Sequence, residues 1–281
     1  MTPAGNADPA DGAKPADGAN RADKADRGGA SRPGKKKTTG NPADKAKQAK
    51  RERKARRRAR WRVEHRLGSP GYLHGLGLPD PLRRAVWLMG ATSAAVALGS
   101  AQRPDCVDHD RAAAAGLEVV RRHSGGGAVL LDPGHMLWLD VLLPAGDRYW
   151  HDDIGRSFLW LGEAWVEALD AVGIAGSVHT GPAVRTEWSS RVCFAGLGPG
   201  EVTVGGRKAV GISQRRTRAG ARFQCLVLAG WDPAPLLSVL DLDPAARAAG
   251  IDELADRATG VGHDRLGPLA AAVTTTIEGR P

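Results

Sequence analysis

The chain has 281 residues, 42% hydrophobic and 25% charged, with a formal net charge of +9, which is enough for one large core or two small ones. The charge excludes a basic folded body, because residues 1–60 hold 18 Lys and Arg against 7 Asp and Glu. That stretch therefore carries +11 and the remainder −2. No apolar run approaches the ~18 residues of a membrane span, and no apolar segment of the secretory kind opens the chain. Cys106, Cys193 and Cys225 are too few and too scattered for a disulfide framework or a zinc site, so a reducing cytoplasm is the expected location.

The first 60 residues contain no Ile, Leu, Val, Phe, Trp or Tyr, and they repeat "PADGA" at 9–13 and 15–19. Such a segment buries too little apolar surface to offset its ordering entropy, so a disordered basic tail over 1–60 is expected. It ends in "KRERKARRRARWR" (50–62). This is either a polybasic arm for nucleic acid or acidic lipid, or a solubilising extension with a short helix at its end.

From Trp61 the composition is that of one domain, 61–281. Leu82–Leu98 is apolar and starts helix-like, and "AAVALGSAQ" (94–102) reads as a strand running into a Gly turn. "GGGAVLLD" (125–132) reads as a Gly-rich turn into a buried strand. "HMLWLDVLL" (135–143) follows across Pro133-Gly134, as in a hairpin. Asp152 or Asp153 can cap a helix running to about Ala171, with Phe158, Leu161, Trp165 and Leu169 as its buried stripe. Short strands are expected near 177–179, 201–204, 208–213 and 223–229, then a helix opened by proline in "DPAPLLSVL" (232–240) and two more helical pieces. Hairpins with flanking helices predict an α+β domain around a mixed, largely antiparallel sheet.

Two segments carry candidate chemistry. In "RRHSGGGAVLLDPG" (121–134), three glycines strip side chains from the backbone, and Arg121 and Arg122 can pair with an anionic group. The stretch is either a ligand loop or a flexible turn. It is not a phosphate loop, since no Lys-Ser/Thr follows. In "GGRKAVGIS" (205–213), Lys208 is the only lysine after Lys54 in an arginine-rich chain. An ammonium is a compact donor of three hydrogen bonds, so Lys208 is either a point charge kept for an oxygen or a surviving surface lysine. Cys193, fifteen residues earlier, is either a loop nucleophile or a small buried hydrophobe. Cys106 and Cys225 are read as buried hydrophobes. The eight histidines show no metal-ligand spacing, no G-x-S-x-G elbow appears, and the eight tryptophans are read as core or pocket wall.

Taken together, these segments resemble the lipoate–protein ligase family, which includes lipoyl and octanoyl transferases and is related to biotin–protein ligase. "VALGSAQ" (96–102) resembles its first core strand. "RRHSGGGAVLLD" (121–132) is similar to its R-R-x-[ST]-G-G-x-A-V signature. "VTVGGRKAVGISQRR" (202–216) is similar to its D-x-x-V-x-G-K-K-[IVFA]-x-G-[IS]-[SA]-x-x-R segment. The resemblance covers about residues 80–240. It implies a tunnel for an eight-carbon acyl chain, with Lys208 on the acyl oxygen. Arg121, Arg122, Ser124, Gly125, Gly126, Gly127, Ala128, Gly211, Ile212 and Ser213 would form the acyl or adenylate site.

Two mechanisms share that scaffold. A ligase activates free lipoate with ATP and Mg. A transferase holds the acyl group as a thioester on cysteine and needs no cofactor. Leu131-Asp132 and Gln224-Cys225 depart from the ligase pattern, and the run "GISQRR" (211–216), Leu131-Asp132 and the placement of Cys193 look more like the cysteine-dependent amidotransferase branch. There Cys193 attacks as a thiolate, with Lys208 as the cation favouring it, and Lys208 steadies the oxyanion. The resemblance implies as partner a lipoyl carrier of the glycine cleavage H protein or 2-oxoacid dehydrogenase E2 type. No membrane partner is expected, and nucleic acid would concern the tail alone. A nucleic-acid-binding protein on this fold, or a non-catalytic relative that binds acyl carriers, are the competing classes.

Overall fold

The computed structural model describes residues 43, 45–50 and 60–281. The chain divides into Met1–Ala46 and Lys47–Pro281. In the first unit the described residues, Ala43, Lys45 and Ala46, are helical and exposed. The expected disorder of residues 1–60 falls mostly outside the described residues.

The larger unit is built on two sheets. Strands β1 (Arg62–Gly68), β2 (Ala85–Ala91) and β6 (Met136–Pro144) form one half of a seven-stranded sheet. Strands β10 (Gly220–Leu228), β9 (Arg207–Arg216), β8 (Val202–Val204) and β7 (Ser177–Val178) form the other. The order is β1-β2-β6-β10-β9-β8-β7, and every pairing is antiparallel except β1 with β2. A second sheet of β4 (Glu118–Arg121), β3 (Ala95–Leu98) and β5 (Val129–Leu131) has order β4-β3-β5. The fold is α+β, as expected.

The alternation of side chains along each strand decides the layers. On β6, Leu137, Leu139, Val141 and Leu143 face one way, with Phe223, Cys225 and Val227 of β10. Helices α3 (Leu159–Ala171) and α6 (His263–Gly279) cover this face. Leu161, Trp165 and Leu169 of α3 are fully buried there and Phe158 is partly buried, so the expected stripe is present. The opposite face turns Trp87, Trp138 and Leu142 toward Ala97, Val129 and Leu131 of the small sheet. The outer side of that sheet, Val96 and Leu98, packs under α2 (His109–Ala114), α4 (Ala234–Val239) and α5 (Pro244–Leu254).

Two expectations are corrected. Residues 85–91 are strand, not helix; most of β2 is buried, on both faces, and such strands read as continuous apolar runs. Pro133-Gly134 does form a turn, with the His135 amide donating to Asp132 O at 3.0 Å and Gly134 at φ 85. Yet it does not close a hairpin, because β5 pairs with β3 and β6 with β2 and β10. The turn moves the chain from one sheet to the other.

The space between the sheets contains a buried polar seam. Arg222 of β10 donates through Nε to Asp140 of β6 at 2.5 Å. Its remaining nitrogens cap the carbonyls of Leu73 at 2.8 Å and Leu76 at 2.6 Å, at and just beyond helix α1 (Pro70–Gly75). This clamp sets His74 against Trp138, ring centroids 4.4 Å apart. Burial, then the charges of Arg122 and Arg222 and the neighbouring His123, lower the pKa of His74 from 6.5 to about 3.

Two measurements check this seam. Arg222→Met leaves Asp140 as a buried carboxylate without its ion partner and should lower unfolding free energy by about 3–5 kcal/mol; an unfolding free energy from urea titration at pH 7 within about 1 kcal/mol of the parent contradicts the clamp. His74 takes up its proton near 6.5 when unfolded and only near 3 when folded. The folded state must therefore lose stability as the pH falls between those values, by up to roughly 1.4 kcal/mol per pH unit. The slope of stability against pH from 6 to 4 should be shallower in His74→Gln.

Candidate active site

Lys208 is buried near the start of β9. Its main chain is held by residues 257–259, through Lys208 N to Arg257 O at 3.1 Å and Thr259 N to Lys208 O at 2.9 Å. The ammonium pairs with Glu201 Oε1 at 2.7 Å and donates to Cys193 O at 3.0 Å and Gly196 O at 3.2 Å. It also lies 5.0 Å from the Phe194 ring centroid. Glu201 in turn accepts from Gly198 N at 2.7 Å and Ile212 N at 3.0 Å. An ammonium has three N–H bonds, and all three meet protein acceptors. Lys208 is thus no surface lysine. It fastens the turn that carries Cys193.

Glu201 was not among the sequence candidates. The signal was available, since the D-x-x-V-x-G-K-K pattern begins with an acid and Glu201 stands in that position, seven residues before Lys208.

Cys193 opens a short 3-10 turn, Cys193–Ala195. The segment before it crosses the Gly-rich loop, with Ala128 N donating to Arg191 O at 2.7 Å and Cys193 N to Ala128 O at 2.9 Å. This crossing explains two glycines. A Cβ on Gly127 would sit 2.5 Å from Val192 N. Gly126 has φ 100, and a Cβ there would come 2.9 Å from Arg122 Nη2 and 3.7 Å from Cys193 Sγ. Gly127 therefore admits the protein's own backbone, whereas Gly125 faces open space.

Arg122 is a cation that faces the sulfur. Its Nη2 lies 3.7 Å from Cys193 Sγ and donates to Gly125 O and Gly127 O, both at 2.8 Å, while Nη1 donates to Ala97 O at 3.0 Å. Beside it a relay runs across the seam. Ser213 Oγ bonds Ser124 Oγ at 2.9 Å, Ser124 donates to Gln224 Oε1 at 2.9 Å, and Gln224 Nε2 lies 3.2 Å from His74 Nδ1.

The remaining candidates divide. Arg121 is exposed and donates to Ser100 O at 3.1 Å, outside the site. Ile212 packs its side chain in the outer core, and its amide reaches Glu201. A Cβ on Gly211 would meet Lys208 Cε and Phe194 at 3.3 Å, so the bare position lets both pack there. Cys225 is buried, and burial pushes its thiol up. Among the described residues, no group of three or more His, Cys, Asp or Glu is placed to hold a metal ion.

Two hollows meet at Cys193. One lies between the sheets, walled by Val129, Leu131, Trp138 and Leu226 and touched by His74 and Ser213. The other is an open groove bounded by Gly125, Gly126, Val184, Leu197 and Pro199. Cys193 lines both. The sulfur stands where an apolar chamber opens toward the surface.

Residues 80–263 match the family model described as lipoyl protein ligase A/B catalytic domain. A curated relative, octanoyltransferase LipM of Clostridioides difficile strain 630, is 26% identical over 172 residues, which are 56% of this chain and 61% of the relative. The match thus spans about three fifths of that relative's length. Among solved structures, the bipartite lipoate protein ligase of an archaeal lipoylation system from Thermoplasma acidophilum is 20% identical. It has TM-score 0.58, covering 78% of this chain and 84% of that one. Lipoate-protein ligase A bound with ATP is also 20% identical, TM-score 0.57, covering 78% and 85%. These structures share the fold, a mixed sheet flanked by helices. The chain belongs to the lipoyl protein ligase A/B catalytic domain family.

Proposed function

We propose that the protein transfers an octanoyl or lipoyl group to the lysine ε-amine of a lipoyl carrier domain through a thioester on Cys193, without ATP. The carrier is of the glycine cleavage H protein or 2-oxoacid dehydrogenase E2 type. The observation that carries this reading is the position of Cys193 at the junction of an apolar chamber and an open groove. An acyl tail enters the chamber as its walls part, since the cavity as it stands holds about 40 Å³, and its carbonyl comes to the sulfur. The flexible arms of donor and acceptor carriers enter by the groove. The name of the curated relative, an octanoyltransferase, points the same way.

In the first half-reaction the Cys193 sulfur attacks the carbonyl carbon of the acyl donor. The S–C bond forms, the bond to the donor's sulfur breaks, and the proton lost by Cys193 ends on that departing thiol. In the second, a neutral carrier amine attacks the Cys193 thioester. The C–N bond forms, the C–S bond breaks, and a proton from nitrogen returns to Cys193.

Lys208 serves this chemistry by position. Its bonds to Cys193 O, Gly196 O and Glu201 hold the nucleophile's turn. To meet an acyl oxygen it would have to release one of them.

Incubated with an octanoylated carrier and no ATP, the protein should gain one octanoyl mass that hydroxylamine removes, and it should then modify a lipoyl domain. Cys193→Ala should carry no adduct and transfer at less than about 1% of the parental rate. Transfer by Cys193→Ala that depends on ATP and free lipoate, with release of pyrophosphate, would falsify the thioester route in favour of a ligase. Glu201→Gln should destabilise the fold by about 3–5 kcal/mol, since it strands a buried ammonium, and should slow adduct formation. An unchanged melting midpoint would contradict the role given to this pair.

A further inference from the structure

Attack on a thioester puts negative charge on the carbonyl oxygen, and a donor must be ready for it. The two cations near Cys193 are already engaged. Lys208 gives its three N–H bonds to Glu201, Cys193 O and Gly196 O. Arg122 Nη2 shares its two among Gly125 O, Gly127 O and, at 3.7 Å, the Cys193 sulfur, and Nη1 donates to Ala97 O. Among the described residues lining the chamber beside Cys193, one buried side-chain nitrogen has no hydrogen-bond partner: His74 Nε2.

The relay decides what that nitrogen carries. Ser124 donates to Gln224 Oε1, which leaves Gln224 Nε2 facing His74 Nδ1. An amide nitrogen only donates. Nδ1 must therefore accept, and the proton of the neutral imidazole stands on Nε2. The Arg222 clamp and the Trp138 contact hold the ring in place. A buried N–H without an acceptor is destabilising, by an amount comparable to a lost hydrogen bond. The other chamber walls named above, Val129, Leu131, Trp138 and Leu226, turn apolar groups inward. A hydrocarbon tail would leave that N–H unmatched. The one strong acceptor on an acyl thioester is its carbonyl oxygen.

We infer that His74 donates its Nε2–H to the acyl carbonyl oxygen while the acyl group is on Cys193, and strengthens that bond as charge moves onto the oxygen. This rests on the acyl-transfer reading. The π electrons of the carbonyl go to oxygen as the nucleophile adds and return as the leaving group departs, and His74 keeps its proton throughout. A neutral imidazole suits this role, because it polarises a carbonyl without a buried charge in the resting site. His74 touches the reacting oxygen in this account and is a catalytic residue.

The test uses the full chain loaded with [1-13C]octanoyl from an octanoylated carrier. The infrared carbonyl stretch of the parental adduct should lie below that of an S-[1-13C]octanoyl cysteine derivative in hexane. In His74→Phe, which keeps ring size and removes the donor, the stretch should rise toward the hexane value. Its kcat for transfer to a lipoyl domain should fall about 100-fold with KM for the carrier little changed. His74→Gln, which retains an N–H at similar reach, should recover part of both. The parental stretch and the Gln variant keep the test decisive should the Phe variant not fold. A parental stretch at the hexane value, or a folded Phe variant with parental kcat, overturns the inference and leaves the transferase reading intact. If the parental protein takes up no octanoyl group on Cys193, the transferase reading fails and the role of His74 with it.

Discussion

A buried ammonium must find an acceptor for each of its protons, and in this protein that requirement organises the site. Lys208 sits between two strands' worth of backbone that would otherwise be unrelated: the Cys193–Ala195 turn and the Glu201 segment leading into β8. Burying an ion pair is costly unless its remaining lone pairs and protons are also bonded. Glu201 meets that condition by accepting from Gly198 N and Ile212 N, and Lys208 by its two carbonyls. The result is a rigid frame for a short irregular segment. The Gly-rich loop completes it, because the crossing at Ala128 needs the bare backbone of Gly127.

The layer between the sheets follows the same logic at larger scale. Strand alternation delivers Asp140, Arg222, Gln224 and Ser213 to the inner side, where apolar residues would pack more cheaply. Each is bonded to a partner: Asp140 to Arg222 and Trp138, Gln224 to Ser124 and His74, Ser213 to Ser124. Satisfied networks of this kind fix the register and orientation of the elements that share them. Here they tie α1 and the Gly-rich loop to the large sheet beside the chamber at Cys193.

Much of this was legible in the sequence. The stripe Leu161, Trp165 and Leu169 follows from helical spacing, and the strands β8, β9 and β10 from short apolar runs between turn residues. The Lys208 and Ser124–Ala128 segments stood out by composition and by family resemblance. Strand β2 was read as helix-like because most of it is buried on both faces, which erases the period-two signal. Glu201 stands at the acid position of the signature, but nothing in the spacing shows that it pairs with Lys208. His74 gave no local sign at all, since its neighbours in sequence do not indicate that a relay from β9 and β10 ends on it.

By itself the sequence determined what depends on residues near one another along the chain: helix faces, turn sites, the basic stretch and the two motifs. Which cation meets which group was decided by the tertiary structure alone. Lys208 donates to the Cys193 carbonyl, and Arg122, 71 positions away from Cys193, lies 3.7 Å from its sulfur. The second sheet, the change of layer at Pro133-Gly134 and the burial of His74 belong to the same class. The physical reason is that side-chain type and spacing set local conformation, whereas hydrogen-bond partners inside a packed layer depend on which strands lie side by side, and that emerges only when the whole sheet has formed.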